Sequence, residues 1–418
     1  MTKLQELRAR RGWKQIQGIR ALQDLARLRG VQVPEDPEAI RVRWSAWERG
    51  RARPQEPYLS LLAELFGVHH GEIVSAAVPV PDPEQVAAAA RESLEFALWA
   101  DPGQRLTPAM EHVAYELGRI ASCYVHTPAG ELFDDLLRLR DISFGPLRQG
   151  LPPRQALDMC VLAGTACVLL AHATENLGDP VSAMAQARTA MACAEQAEHD
   201  GLRAWGRGTA ALIAEWTGRP EQAARMAREG QAYPQSAESM VRLAAIEARA
   251  HARVGNVPAA LDALERARQA RDTDTGQRNE LVEYGGVLTF PAVKQRYYEG
   301  STLVLAGQHA AGEQAALEAI ALYETGPARQ RSYGDEAIAR VDVVSARIAV
   351  GDIEGAQAAA GPVLALPPER RIEQLVASLA PVAGQLTVPR LAASRPAGAL
   401  AAEIREFTAP VSRAALQR

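Results

Sequence analysis

Lysine is almost missing from this chain: it occurs only as Lys3, Lys14 and Lys294 among 418 residues, against 43 arginines. The dipeptide Gly-Lys never occurs, so there is no G-x-x-x-x-G-K-[ST] loop to cradle phosphates, and P-loop nucleotide hydrolysis is excluded. Neither G-x-S-x-G nor H-E-x-x-H is present, which removes the nucleophile-elbow hydrolases and the zincins. The four cysteines (Cys123, Cys160, Cys167, Cys193) form no C-x-x-C and fall in apolar helical stretches, where a thiol serves as a small hydrophobe. Cys123-x-x-His126 has a metal-like spacing without a second pair, so neither a metal nor another cofactor is expected. Long apolar runs are lacking too. The longest, Met159–Ala171, falls short of the roughly 20 residues that span a bilayer, and the polar start Met1-Thr-Lys-Leu-Gln-Glu is not a secretory signal. The expectation is a cytoplasmic, nucleoid-associated protein that is not an enzyme and has no membrane partner.

Aromatic residues make up 5% of the chain within a hydrophobic content of 47%. The core is therefore built from Ala, Leu and Val, a composition that suits closely packed helices better than sheets. The net charge of −4 is unevenly spread. Residues 1–55 hold 13 Lys/Arg against six Asp/Glu, a local charge of +7, and the remainder carries −11. A basic head on an acidic body fits a nucleic-acid contact at one end.

Between residues 160 and 365 one spacing returns five times. A turn glycine (Gly178, Gly218, Gly255, Gly307, Gly351) is preceded at seven residues and followed at five and twelve by small or short side chains. These are Ala171/Ala183/Ala190, Ala211/Ala223/Gly230, Ala248/Ala260/Ala267, Gly300/Gly312/Ala319 and Val344/Ala356/Val363. Two helices that cross closely at each hairpin require such residues. The spacing resembles the tetratricopeptide repeat, a family that usually binds rather than transforms. Irregular insertions at Arg271–Pro291 and Thr325–Gly334 interrupt the array, and Arg370–Gln385 reads as a capping helix before a short tail.

The first 75 residues read as four or five short helices. The segment from Arg41 to Pro54 carries their chemistry. Trp44, Trp47 and Val42 cannot all face water; with Trp47 in the core, Arg41, Arg43 and Ser45 take other surfaces of the helix, and Arg49, Arg51 and Arg53 extend from its end. Arginine forks match guanine edges or phosphate oxygens. The pattern L-x-x-L-R-x-R-x-G-W-K-Q at residues 4–15, followed by Trp47-Glu48-Arg49-Gly50 and Pro54, resembles the phage-repressor (Xre) type of helix-turn-helix over residues 1–74. The resemblance implies that Gln15 meets the phosphate backbone and that Arg41, Arg43, Ser45 and Ala46 enter the major groove of double-stranded DNA. The stretch between Gln15 and Trp47 is longer than is usual in that family.

The whole layout resembles actinobacterial regulators that join this helix-turn-helix to tetratricopeptide-like repeats, similar in arrangement to peptide-sensing quorum regulators. The fold class is then all-α, a small helix-turn-helix domain followed by a helical-hairpin superhelix. Its domains are residues 1–76, a Pro-rich linker at 77–83, opening helices at 84–155, repeats at 156–366, and a cap with tail at 367–418. The resemblance implies a homodimer and a peptide or small-molecule effector. The first helix of each hairpin would line a ligand groove, with Arg203, Arg207, Glu247, Tyr297 and Arg340 as candidates; the alternative for each is solvation or packing between repeats. The competing function is a repeat scaffold that recruits a protein partner with little specific DNA binding.

Overall fold

A computed structural model of the chain describes residues 2–74, 89, 92–93, 107–233, 236–273, 280–328, 331–391 and 394–409. Among them every regular element is a helix, as the Ala- and Leu-rich composition implied. The chain divides into two units, residues 1–99 and 100–418. The linker expected at 77–83 lies outside the described residues, as does nearly all of the helix expected near 84–100.

The first unit contains α1 (Lys3–Arg10), α2 (Gln15–Leu28), α3 (Pro37–Glu48), α4 (Tyr58–Phe66) and the short α5 (His70–Val74). Thr2 caps α1 by accepting from the Gln5 amide, and Asp36 caps α3 with Pro37 in the first turn. Each arrangement satisfies backbone donors that the helix itself leaves unpaired. Leu4, Leu7, Ile19, Leu22, Ile40, Trp44, Trp47, Leu62 and Phe66 form the core. Trp44 is fully buried and reaches Gly18 on α2, where an added Cβ would stand 2.7 Å from the indole. That close approach explains a glycine inside a helix. The connection between α2 and α3 is longer than a tight turn, running from Arg29 to Asp36. The buried Gln23 holds it by donating to the carbonyls of Pro34 (2.8 Å) and Glu35 (2.9 Å).

The second unit opens with α6 (Thr107–Cys123) and α7 (Ala129–Gln149). Five hairpins follow: α8/α9 (Pro153–Asn176, Pro180–Gln196), α10/α11 (Asp200–Trp216, Pro220–Gly230), α12/α13 (Ala237–Arg253, Val257–Asp272), α15/α16 (Ala292–Leu305, His309–Thr325) and α17/α18 (Tyr333–Val350, Ile353–Leu364). The short α14 (Glu280–Glu283) precedes the fourth. All five turn glycines adopt the left-handed conformation, with φ between 73° and 88°. The small residues of the repeat spacing are buried at the helix crossings. A sixth pair was not expected. α19 (Glu373–Gln385) is joined by α20 (Arg395–Thr408), whose Ala397, Leu400, Ala401, Ile404 and Phe407 bury one face. The segment read as a short tail thus begins as an amphipathic helix; Pro396 stands in its first turn, where the ring costs no hydrogen bond.

α8 is long and apolar enough to cross a bilayer by length and composition, but most of its apolar window is buried inside the repeat unit. It packs against α7, α9 and α10.

The first insertion turns inward from Leu281 onward, while the described residues of the second are exposed at Thr325–Ala328 and Arg331 and turn inward at Ser332–Gly334. The first passes through α14 and a 3-10 turn at Gly286–Leu288, burying Leu281, Leu288 and Phe290. Gly286, at φ 53°, lies so close to the Ala121 carbonyl of α6 that no Cβ would fit. Phe290 is pinned at both backbone atoms: its amide donates to Glu238 and its carbonyl accepts from Arg271. The second insertion joins the end of α6 through the Tyr333 amide, which donates to the Val125 carbonyl at 3.2 Å.

Candidate functional site

In the first unit the chemistry follows from how α3 is anchored. Glu48, at its C-terminal end, is buried and accepts from Arg8 Nε (2.5 Å), Gln15 Nε2 (2.6 Å) and Trp44 Nε1 (2.8 Å). The W-E pair in the sequence is therefore structural: the carboxylate ties α1, α2 and α3 together. Burial alone would raise its pKa, but the Arg8, Gln15 and Trp44 hydrogen bonds outweigh it and hold the carboxyl below its ordinary value. A group whose folded pKa is lowered stabilises the fold above its unfolded pKa and ceases to do so as pH falls through the folded value. The first unit should accordingly loosen in acid, below roughly pH 4.3. Following the Trp44 indole N–H by NMR checks this. Glu48→Gln should flatten the response, and equal acid sensitivity in both proteins would remove Glu48 as the cause.

With Ile40, Trp44, Trp47 and Glu48 turned inward, the opposite face of α3 presents Val42, Ser45, Ala46 and Arg49, flanked by Arg41 and Arg43. Val42 is 76% exposed, the outcome for the three bulky residues that the sequence left open. Arg41 pairs with the exposed Glu38 at 2.9 Å. Arg43 donates to the Tyr58 hydroxyl (3.1 Å) and lies over its ring, while Arg49 donates to Ser45 Oγ. Arg51 and Arg53 are exposed and make no ion pair among the described residues. Gln15 is the first residue of α2, half-buried, with its side-chain amide committed to Glu48.

In the second unit a partly open pocket of about 110 Å³ is lined by residues of α8, α10, α12, α15, α17 and α19 and by residues of the two insertions. A neighbouring cavity of about 220 Å³ shares Val125, Thr289, Lys294, Ser332 and Asp335 with it. Tyr124, Trp216, Phe290, Tyr297, Tyr298 and Tyr333 supply the aromatic wall. Arg249 lies over Tyr298 and is held by Glu215 in a two-pronged pair (2.7 and 3.0 Å), with Tyr297 Oη accepting a further bond at 3.1 Å. Arg253 adds a second cation to Glu215 at 2.7 Å.

Of the five residues expected in a ligand groove, Tyr297 alone lines this cavity. Arg203 is spent on Glu195 and Asp200, and Arg207 on Glu229. Glu247 is buried among Arg228, Gln231 and Arg266, joining α11, α12 and α13. These three are packing residues between helices, because their faces meet the neighbouring helix before they reach the interior. Arg340 borders a separate broad depression, where it pairs with Glu324 (2.6 Å) and Glu336 (3.0 Å).

The cavity's own polar residues were missed: His172, Glu175, Arg242, Lys294 and Asp335. Their signal in the sequence is an ionisable residue inside an apolar helical run, such as Arg242 in Val241-Arg-Leu-Ala-Ala-Ile246. Burial, with Arg242 and Lys294 nearby, lowers the His172 pKa to about 3 and so keeps its ring neutral. No group of His, Cys, Asp and Glu suited to a metal ion occurs among the described residues. Neither the protein-family models nor the curated proteins include a match to this chain.

Proposed function

We propose that this chain is a sequence-specific DNA-binding transcriptional regulator. Its first unit acts as an Xre-type helix-turn-helix, and its tetratricopeptide-like second unit serves dimerisation and the sensing of a small effector. The observation that carries this reading is the outer face of α3. Arg43, Arg49, Arg51 and Arg53 stand exposed beside Val42 without carboxylate partners among the described residues, on a helix fixed from behind by Trp44, Trp47 and Glu48. A helix with exposed arginine forks and an apolar side chain suits base edges and the thymine methyl group, and the arginines beyond its end suit phosphates. In this reading Gln15 supports DNA binding through the start of α2, where unpaired backbone amides face an anion, rather than through its side chain. A single small module buries too little surface for high selectivity, so two heads on paired half-sites are part of the proposal.

The test is genome-wide DNA capture with the full-length protein, each bound site being re-measured at low and moderate salt. A few sharp sites sharing a two-fold motif are expected. Diffuse binding that fades with salt at every site would leave only charge attraction and favour the scaffold function.

A further inference from the structure

The interior of the second unit holds a mismatch of charge. Its deepest ion pair is complete, since Glu215 takes both Arg249 and Arg253. Arg242 has no carboxylate partner among the described residues. It is 4% exposed and donates to neutral acceptors, the Trp205 carbonyl and Thr209 Oγ1, each at 3.2 Å. Its guanidinium is stacked on Trp205 at 4.3 Å, which fixes the plane of the fork. Glu175, 5% exposed at the end of α8, has the complementary defect: its Oε1 meets no hydrogen-bond donor among the described residues. Both residues line the same cavity and do not form an ion pair with each other.

A buried cation without a counter-ion and a buried carboxyl with an orphan oxygen are each costly. Burial depresses Arg242, to about 10, and raises Glu175, to about 8, even though Gln374 is hydrogen-bonded to the Glu175 carboxyl. One small guest with a charge of each sign would relieve both defects. A carboxylate suits the donors of Arg242, because the guanidinium presents five in a fixed fork. An ammonium suits Glu175, with the aromatic wall close by to favour a cation. A dry cavity near 150 Å³ already accepts a benzene-sized guest, so about 110 Å³ suits a compact head group, and the adjoining 220 Å³ leaves room for a substituent.

We infer that the cavity binds a small zwitterion of the free amino acid class, its carboxylate held by Arg242 and its ammonium by Glu175. The inference rests on the reading of the second unit as an effector domain, but the assay below detects binding whether or not DNA is involved. Full-length protein is titrated calorimetrically with the twenty free L-amino acids together with β-alanine and γ-aminobutyrate, and every binder is repeated as its N-acetyl and carboxamide derivatives. At least one zwitterion should bind, with each derivative at least about tenfold weaker. Arg242→Met should abolish binding. Glu175→Gln, nearly isosteric and therefore the safer variant for folding, should weaken the zwitterion at least about tenfold while leaving affinity for its N-acetyl form unchanged. Silence from the whole panel would overturn the inference. Equal affinity for the N-acetyl form would overturn the role of Glu175. A binder that is lost in neither variant would place its site elsewhere. Failure of DNA capture with amino acid binding intact would overturn the regulator reading alone.

Discussion

Replacing Glu215 by alanine should destabilise the second unit by about 3–5 kcal/mol, because it strands Arg249 as an uncompensated buried charge. Glu215 and Arg249 are both 2% exposed, and the guanidinium takes both carboxylate oxygens. Burial would raise the Glu215 pKa, but Arg249 and Arg253 more than reverse this and keep it ionised. Urea denaturation, with helical content as the signal, measures the loss. The exposed Arg41–Glu38 pair supplies the comparison: Glu38→Ala should cost less than about 1 kcal/mol, since water already solvates both partners. Changing both members, Glu215→Leu with Arg249→Met, should recover most of the stability. A double variant as unstable as Glu215→Ala would show that packing around the site, and not the stranded charge, dominates.

Replacing Arg43 and Arg49 together by alanine should cost at least about 30-fold in affinity for a captured site, taking each contact at about 1 kcal/mol or more. If both residues meet phosphate instead, the same variant should bind less tightly at every sequence, and its salt slope should fall by about 0.9 per lost contact. The two outcomes are separable by measuring specific and random duplexes across a salt series. Among the described residues Arg43 and Arg49 have only Tyr58 and Ser45 as side-chain partners, so the variant gives up no ion pair there and the core behind α3 should stay intact. Unchanged affinity for both duplexes would remove α3 from the DNA interface.

Much of the architecture is a local matter, and that is why it was legible. The turn glycines and the small residues around them announce close helix crossings, since no larger side chain fits there and only glycine takes the left-handed turn readily. The ends of α3 have local causes as well: Asp36 caps its start beside Pro37, and Gly50, at positive φ, follows its end. The amphipathic α20 was hidden by the prolines around it, although Pro396 sits where a helix tolerates one.

The sequence by itself determined the helical class and the phase of the hairpins, because helical periodicity and side-chain size act over a few residues. Only the tertiary structure decided what the charged residues do. Glu247, Arg203 and Arg207 were equally eligible for a ligand groove, and a neighbouring helix claimed each of them. Arg242 and Glu175 stood out far less, yet they face the cavity without partners of opposite charge among the described residues. Residues at the ends of the two insertions, read as interruptions, became part of its walls. An ion pair or a cavity joins residues dozens to hundreds of positions apart, and no short-range pattern records which charge will find a partner and which will be left facing space.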